Sequence, residues 1–290
     1  MKSITIELAS VLDCELLTQT AITSKQYWGY SDTLIEQWKD QLTITEESFA
    51  NSTIFKCFNE GEYIGFFAVK EKKDYMQLDH LWLLPSHIKK GYGAQIMNRV
   101  KEYAHQRGSR YIEVYADPNS NGYYEKQGGQ VIHQILTCVP GRMMNIYYLP
   151  VVDERWSPLA TAGLIVIENG KLLLTYSNNK NAWYLPGGKV DPGENSKEAL
   201  IREIEEELSI RLDENRLTYL THIAAPAYGE KLNIMMEQDC YLYQLDKEVL
   251  KASNEIGGIQ YYALKEYKEE EIQVPGVLMV YEYLKYKGLL

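Results

Sequence analysis

Cysteine is scarce in this chain and never clustered. Its four copies, Cys14, Cys57, Cys138 and Cys240, are scattered and form no CxxC pair. This spacing gives no zinc site and no disulfide frame, and suits buried or free thiols of a reducing compartment. Histidine is as sparse: His80, His87, His105, His133 and His222 share no metal-ligand spacing, and each reads as structural. Phenylalanine occurs 5 times against 24 tyrosines, a bias with no functional reading at this level. No apolar run approaches the roughly 20 residues that span a bilayer. The opening MKSITIELAS has no apolar h-region and carries Glu7, so neither signal peptide nor membrane contact is expected, and a cytoplasmic protein is. Internal repeats and low-complexity tracts are missing too. The net charge of −10 falls mostly on the second half. Phosphate contacts need clustered cations, so general nucleic-acid binding by that half is not expected.

What is there suggests two domains of α/β (α+β) class. The length of 290 residues exceeds one typical domain, and 45% apolar residues suffice for real cores. The stretch YYLPVVDERWSPLA (147–160) holds two prolines, charges and no clear periodicity, which predicts a seam there and domains at 1–150 and 151–290. In the first half, strands are expected at 4–8, 53–58, 63–69, 76–85, 111–117 and 130–136. Helices are expected near 9–22, 31–42, 91–108 and 120–127. The second half opens with an apparent hairpin, 161–167 against 171–177, around Asn169-Gly170. Strands near 217–224, 234–244 and 257–263 and a helix near 275–287 follow.

Between them stands GGKVDPGENSKEALIREIEEELSI (187–210). On a helix, Glu203, Glu206 and Glu207 at i, i+3 and i+4 share one face, over a buried stripe of Ala199, Leu200, Ile204 and Leu208. Like charges so spaced repel, and a hard divalent cation relieves the repulsion by taking carboxylate oxygens as ligands. A solvated acidic helix face is the plainer alternative. The turn-formers Pro186-Gly187-Gly188 and Pro192-Gly193-Glu194 can bring a loop back over the helix start.

Gly188, Glu194, Arg202-Glu203-Ile204, Glu206-Glu207 and Ile210 fall at the spacing of the Nudix box, which this segment resembles; only Ser209 replaces a family glycine. The resemblance implies an α/β/α sandwich that hydrolyses a nucleoside diphosphate linked to another moiety. It implies Mg²⁺ or Mn²⁺ held by Glu203, Glu206 and Glu207, with the Gly187 carbonyl as a further ligand. Arg202 is expected to pair with Glu194 or Glu203 and orient the ligands. Glu255, in NEIGG, resembles a further family glutamate that serves as ligand or base; a surface loop charge is the alternative. Pro226 lies where ADP-ribose pyrophosphatases have a proline. Tyr228 lies where some dinucleoside polyphosphate hydrolases have a tyrosine, so the substrate stays open. Trp183 and Tyr184 could stack a base or pack the hairpin.

In the first half, LWLLPSHIKKGYGAQIMNRV (81–100) runs from a strand through a basic glycine-bearing loop into a helix. Helix N-termini with nearby glycines make anion sites. The stretch resembles the (Gln/Arg)-x-x-Gly-x-(Gly/Ala) motif of the GNAT acyltransferases at Gly91 and Gly93, with Ile88 where Gln or Arg is usual and Lys89 where a small residue is common. DPNSNGYYEKQGG (117–129) resembles that family's Asn…Phe-Tyr-x-Lys-x-Gly segment. SKQYWGYS (24–31) and Pro140-Gly141-Arg142 are similar to one small branch of it. The resemblance implies a GNAT-like mixed sheet with flanking helices and acetyl-coenzyme A as co-substrate. The coenzyme would be bound by Leu83, Ile88, Lys89, Lys90, Gly91, Tyr92, Gly93, Ala94 and Asn119. Tyr124 would be the proton donor to the departing thiolate. Asp79 is the candidate base for the amine acceptor; a solvated strand-end aspartate is its alternative. The expected protein is bifunctional and acts on small molecules. Its rival has only one catalytic half, with the Nudix-like one favoured, and a ligand-sensing or binding module in the other. Nothing in these patterns fixes an oligomeric state.

Overall fold

The computed structural model describes residues 4–137, 139, 141–152 and 155–290. Cys138, Pro140 and the Asp153-Glu154 pair of the expected seam lie outside the described residues, as do the first three. The chain divides into two compact units, Met1–Arg155 and Trp156–Leu290.

The first unit runs β1 (Thr5–Leu8), α1 (Cys14–Gln26), α2 (Asp32–Gln37), α3 (Lys39–Leu42), α4 (Glu46–Asn51), β2 (Thr53–Asn59), β3 (Glu62–Glu71), β4 (Met76–Leu83), α5 (Tyr92–Gln106), β5 (Tyr111–Ala116), α6 (Asn121–Lys126), β6 (Gln130–Leu136) and β7 (Met143–Pro150). Its strands form one sheet in the order β1-β2-β3-β4-β5-β7-β6. Alternation along β3 feeds two cores. Phe66 and Ala68 face Leu17, Ala21, Trp38 and Leu42 of α1–α3. Phe67 and Val69 face Ile96, Met97, Val100 and Ala104 of α5. The parallel pair β4–β5 is joined only over Met76–Leu78 and Ile112–Val114, although β4 continues to Leu83 and β5 to Ala116. The strands therefore part toward their carboxyl ends. At the parting, β4 carries a bulge: Ala68 pairs with His80 and Val69 with Leu78, leaving Asp79 as the extra residue.

The second unit runs β8 (Ser157–Ile165), β9 (Ile167–Glu168), β10 (Lys171–Ser177), β11 (Ala182–Tyr184), β12 (Gly187–Lys189), α7 (Ser196–Leu208), β13 (Thr218–Pro226), β14 (Ile234–Leu242), β15 (Ile256–Tyr262), α8 (Leu264–Tyr267) and α9 (Pro275–Tyr286). One sheet has the order β12-β8-β14-β13, the other β11-β10-β15 with β9 on β10. Leu164, Val166 and Leu173 pack with Leu200, Ile204 and Leu208 of α7. Ile165, Leu172 and Leu174 pack with Val277, Val280, Tyr281 and Leu284 of α9. Helices thus cover both faces of a sheet layer.

The local reading needs three corrections. The expected hairpin is split: only Ile167 and Glu168 pair with Leu172 and Lys171. Residues 157–165 instead lie parallel to β14 along nine positions. Asn169 and Gly170 do form the tight turn, both with positive φ (51° and 73°). The seam is narrower than expected, because 143–150 is a strand on β5 and β6 and 157 already begins β8. The first helix begins at Cys14, after a turn fixed by Ser10, whose N–H donates to Asp13 Oδ2 at 2.8 Å. Among the described residues no helix is long and apolar enough to cross a membrane.

The tyrosine bias proves structural. Tyr147, Tyr243, Tyr267 and Tyr281 are among the largest fully buried side chains. Their hydroxyls tie distant backbone and side chains: Tyr281 donates to the Tyr262 carbonyl at 2.9 Å, and Tyr267 accepts from the Val274 N–H at 2.8 Å. A phenylalanine would bury the ring and strand the partner. Tyr281→Phe is therefore expected to cost about 1–2 kcal/mol, read as a lower midpoint of urea unfolding of the full chain. An unchanged midpoint would mean that the Tyr262 carbonyl finds another donor.

Candidate active sites and their geometry

Helix α7 is started by Asn195, whose side chain accepts from the N–H groups of Lys197 and Glu198 at 3.0 Å each. Glu198 returns the bond to the Asn195 N–H at 2.9 Å. The buried stripe of Ala199, Leu200, Ile204 and Leu208 forms as expected, and Glu207 joins it at 8% exposure. One Glu207 carboxylate oxygen accepts the Gly187 N–H at 3.0 Å. So Gly187 meets this carboxylate through its amide; its carbonyl has no shown part. Burial pushes the Glu207 carboxyl up to about 8, Glu203 and Glu255 push the same way, and the Gly187 bond and Lys180 oppose them. Burial also raises Glu203, against the pull of Arg202. The Glu203 carboxyl lies against Gly188 so closely that any Cβ there would overlap it.

Arg202 gathers the loop. Its Nε and Nη2 grip the two oxygens of Glu194 at 3.2 and 2.6 Å. Nη1 reaches Glu203 at 2.8 Å, and Nη2 also reaches the Lys189 carbonyl at 3.0 Å. Arg202 thus pairs with both expected partners, and its grip holds the Glu194 carboxyl below the usual range. Glu206 stays exposed, 3.8 Å from Arg202. At the far end of α7, the Leu208 and Glu207 carbonyls accept from the N–H groups of Lys251 and Ser253 at 3.0 and 2.9 Å. The Glu206 carbonyl accepts from the Ser253 hydroxyl and from Asn254 Nδ2. These bonds satisfy helix-end carbonyls and set down Glu255, whose main-chain carbonyl accepts from the Asn178 N–H at 2.9 Å. The Glu255 carboxylate binds Asn179 and lies close enough to raise Glu207.

Among the described residues no three His, Cys, Asp or Glu side chains already converge as a metal set. The donor chemistry nonetheless fits a hard divalent ion, since the candidate side-chain donors are all carboxylates. Trp183 and Tyr184 pack rather than stand free: Trp183 meets Tyr176 and Tyr262 at 5.3 and 5.2 Å, and Tyr184 donates to the Tyr228 carbonyl.

In the first unit, the loop from Ile88 to Gly91 leads into α5. Lys89 has φ +62° and Gly91 +87°, which explains why a small residue suits position 89. Lys89, Lys90, Gly91 and Ala94 are exposed, and among the described residues no side-chain cap bond is made at the Gly91 N-cap of α5. Tyr92 and Leu83 instead pack on the core. Tyr123 closes over Gly93 and donates to its carbonyl at 2.8 Å. Tyr124 is buried, its hydroxyl raised by burial and by Asp117. Asp79 is held by Lys70 at 2.8 Å, a partner that competes with any role as base. Asn119 donates to the Tyr30 hydroxyl at 2.8 Å.

The NUDIX domain family matches residues 157–279, and the Acetyltransferase (GNAT) family matches residues 21–129. The chain carries a GNAT domain and a Nudix domain. A MutT-like protein of Streptomyces ambofaciens is 32% identical over 77 residues, 25% of this chain and 50% of that protein. A Bacillus subtilis (strain 168) protein, provisionally named an 8-oxo-dGTP diphosphatase, is 48% identical over 50 residues, 16% of this chain and 34% of its own length. The chain thus spans half or less of either curated relative. Among solved structures, the PaiA N-acetyltransferase of Thermoplasma acidophilum in complex with coenzyme A is 22% identical, with TM-score 0.41, over 50% of this chain and 98% of that one. The MutT Nudix hydrolase of Burkholderia pseudomallei is 24% identical, with TM-score 0.38, over 44% and 98%.

The Nudix domain brings Glu194, Arg202, Glu203, Glu207 and Gly187 together; Glu206 faces out and Glu255 arrives from a separate loop. Sequence reasoning missed Lys180, which acts on Glu207 from the turn between β10 and β11, and the 251–254 loop. In the GNAT domain it missed the joining of Lys25, Tyr30, Asp117 and Arg142. Their segments carry family-like motifs, but no spacing says that they meet.

Ser209 ends α7 with φ +57° and ψ +31°, the left-handed conformation that the family glycine adopts freely. The glutamates hang from the preceding turns and do not depend on it. Ser209→Gly is expected to stabilise by about 1 kcal/mol, a rise of roughly 2–4 °C in the midpoint of thermal unfolding, with hydrolysis changed by no more than a few-fold. A large gain of activity at constant stability would instead show that the serine disables the site.

Proposed function

We propose that the Nudix domain hydrolyses a diphosphate linkage in a nucleoside diphosphate derivative with Mg²⁺ or Mn²⁺. We propose further that the GNAT domain transfers an acetyl group from acetyl-coenzyme A to an amine. The observation that carries the first half is the buried Glu207 carboxylate, fixed by the Gly187 N–H beside Glu203 and within the field of Glu255. Glu203, Glu206 and Glu207 would hold the cation, with Glu255 near. When bound, it would neutralise diphosphate charge and activate water. The chain's own part is to hold these carboxylates in place: Arg202 orients Glu203 and ties the loop through Glu194, and the 251–254 loop fixes the end of α7. The names of the curated relatives favour including nucleoside triphosphates with oxidised bases beside nucleotide sugars and dinucleotides in the substrate panel.

Glu207→Gln is expected to abolish phosphate release across that panel. Undiminished hydrolysis in excess chelator would sink the metal-dependent assignment. A second readout needs no substrate. Glu207 has its folded pKa raised above 4.5, to about 8. Its contribution to stability is intact below pH 4.5 and is lost as the pH rises toward 8, because the unfolded chain ionises first. In chelator, wild-type stability should fall through that window, and Glu207→Gln should remove this component of the fall. Mg²⁺ should restore the wild type and leave the variant unmoved.

For the GNAT domain, support comes from the start of α5 behind an exposed glycine loop, together with a buried Tyr124 whose hydroxyl is kept protonated. The backbone N–H groups would take the pyrophosphate of the coenzyme, and Tyr124 would protonate the leaving sulfur. Calorimetry with acetyl-coenzyme A tests the binding; no heat at millimolar ligand would remove it. Tyr124→Phe should lower kcat by about tenfold or more while changing acetyl-coenzyme A affinity little, since a proton donor acts in the transition state. Equal loss in affinity and turnover would mark Tyr124 as a packing residue.

A further inference from the structure

We propose that Lys25, Tyr30 and Arg142, gathered on Asp117, form the seat for a carboxylate carried by the acyl acceptor, so that the acceptors are amino acids or related amino carboxylates. This rests on the acetyl-transfer reading of the GNAT domain and narrows its unknown substrate.

The argument begins with charge. Asp117 receives Lys25 Nζ and Arg142 Nη2 on one oxygen, the latter at 2.8 Å. On the other it receives the Tyr30 hydroxyl at 2.7 Å and the Asn119 N–H at 2.9 Å. Its acceptor capacity is taken up. Two cations therefore share one carboxylate, and one positive charge is left over. The three side chains are only 12%, 19% and 17% exposed for Lys25, Asp117 and Arg142, so solvent compensates that charge poorly. A half-buried cation without its own counter-ion is unfavourable unless something supplies one. Burial lowers the pKa of Lys25, and Asp117 offsets only part of that effect.

Donors are left over as well. Arg142 uses Nη2 alone, for Tyr30 and Asp117. Among the described residues, its Nε and Nη1 meet no acceptor, and Lys25 uses one of its three N–H groups. A guanidinium fork with a free edge suits a planar carboxylate taken with two bonds. Around the cations stand aromatic faces. Lys25 Nζ lies 4.5 Å from the Trp38 ring, 4.9 Å from Tyr30 and 5.9 Å from Trp82, and the Arg142 guanidinium lies 4.8 and 4.9 Å from Trp38 and Tyr30. These rings hold the cations in place and keep water away, which strengthens attraction to an incoming anion.

Position links the cluster to the reaction. Trp82 lies near the end of β4 and Asp117 directly follows β5, the two strands that part at their carboxyl ends. Asp117 is also the charge that acts on Tyr124. An acceptor anchored here by its carboxylate would present its amine toward the opening. The nitrogen attacks the thioester carbonyl, a C–N bond forms, and the C–S bond breaks with its electrons on sulfur. Nitrogen gives up one proton, sulfur gains one, and the carboxylate leaves unchanged on the N-acetyl product.

The test uses the full chain, acetyl-coenzyme A and mass spectrometry of the products. The acceptors are the common amino acids, matched amines without the carboxylate (cadaverine for lysine, agmatine for arginine, phenethylamine for phenylalanine) and aminomethylphosphonate for glycine. The expected result is N-acetylation of amino acids, with kcat/KM about a hundredfold above the matched amine. Arg142→Gln should raise KM for the best amino acid at least about tenfold, with kcat within a few-fold and acetyl-coenzyme A affinity unchanged. Arg142→Lys should recover part of the loss. Lys25→Met, expected to act in the same direction, serves if Arg142→Gln does not fold. Equal turnover of matched amines, preference for the phosphonate, or an Arg142→Gln effect on kcat alone would overturn the proposal. So would acetyl-coenzyme A binding without acetylation of any amino carboxylate, which leaves the coenzyme reading standing. Absence of acetyl-coenzyme A binding would remove that reading itself.

Discussion

A carboxylate occupies a position on the buried stripe of α7 that pattern alone would give to leucine. Glu207 is held there by one hydrogen bond, from the Gly187 N–H, and most of its surroundings in the Nudix domain follow from that choice. The loop before α7 must bring an amide to it, so Gly187 takes φ +131°, a conformation hostile to other residues, and a Cβ there would strike the Ala162 carbonyl. The neighbouring Glu203 needs space against the same loop, and Gly188 gives it. Arg202 then offsets part of the negative charge at Glu203, while Glu207 is opposed only in part by the Gly187 N–H and Lys180. Burial and the neighbouring carboxylates together disfavour the ionised form of Glu207.

The GNAT domain shows the opposite sign. There the uncompensated charge is positive, and it sits where a sheet has been opened instead of where a helix has been loaded. Opening β4 from β5 parts only their facing edges, since the end of β4 stays paired with β3 and the end of β5 with β7. The bulge at Asp79 accommodates the parting by absorbing one residue. Asp117 follows the end of β5 and draws Lys25, Tyr30 and Arg142 onto one carboxyl, so the strand end, the first helix and the residue before β7 meet there.

How much of this could be read from the sequence depends on how far the interacting residues lie apart. The glutamates of α7 share one helix, and their spacing alone sets them on one face of it. Arg202 and Glu194 are eight residues apart, one on α7 and the other just before its N-cap Asn195, and their pairing was expected from the family resemblance. The β8–β10 hairpin misleads because a strong local turn at Asn169-Gly170 coexists with a long parallel partner for β8, β14, which lies about 77 residues away along the chain and leaves no local mark. Lys25 and Asp117 are 92 positions apart, and only the folded sheet joins them. The tyrosines were opaque for a different reason: composition shows the rings, but the backbone groups that their hydroxyls satisfy are set by tertiary packing.

The departure at Ser209 is explained by the same long-range stitching. In the Nudix box a glycine there lets the chain leave the helix in a left-handed turn, which helps to satisfy the last carbonyls. In this chain Ser209 adopts that turn, and its N–H donates to the Glu205 carbonyl at 3.2 Å. The carbonyls of Glu206, Glu207 and Leu208 are served from outside, by Ser253, Asn254 and Lys251. With the helix end held by a second segment, the strain of one non-glycine residue is small against the bonds that fix it. That segment also carries Glu255 toward Glu207. The element that makes the substitution tolerable is therefore the one that brings the last carboxylate to the site.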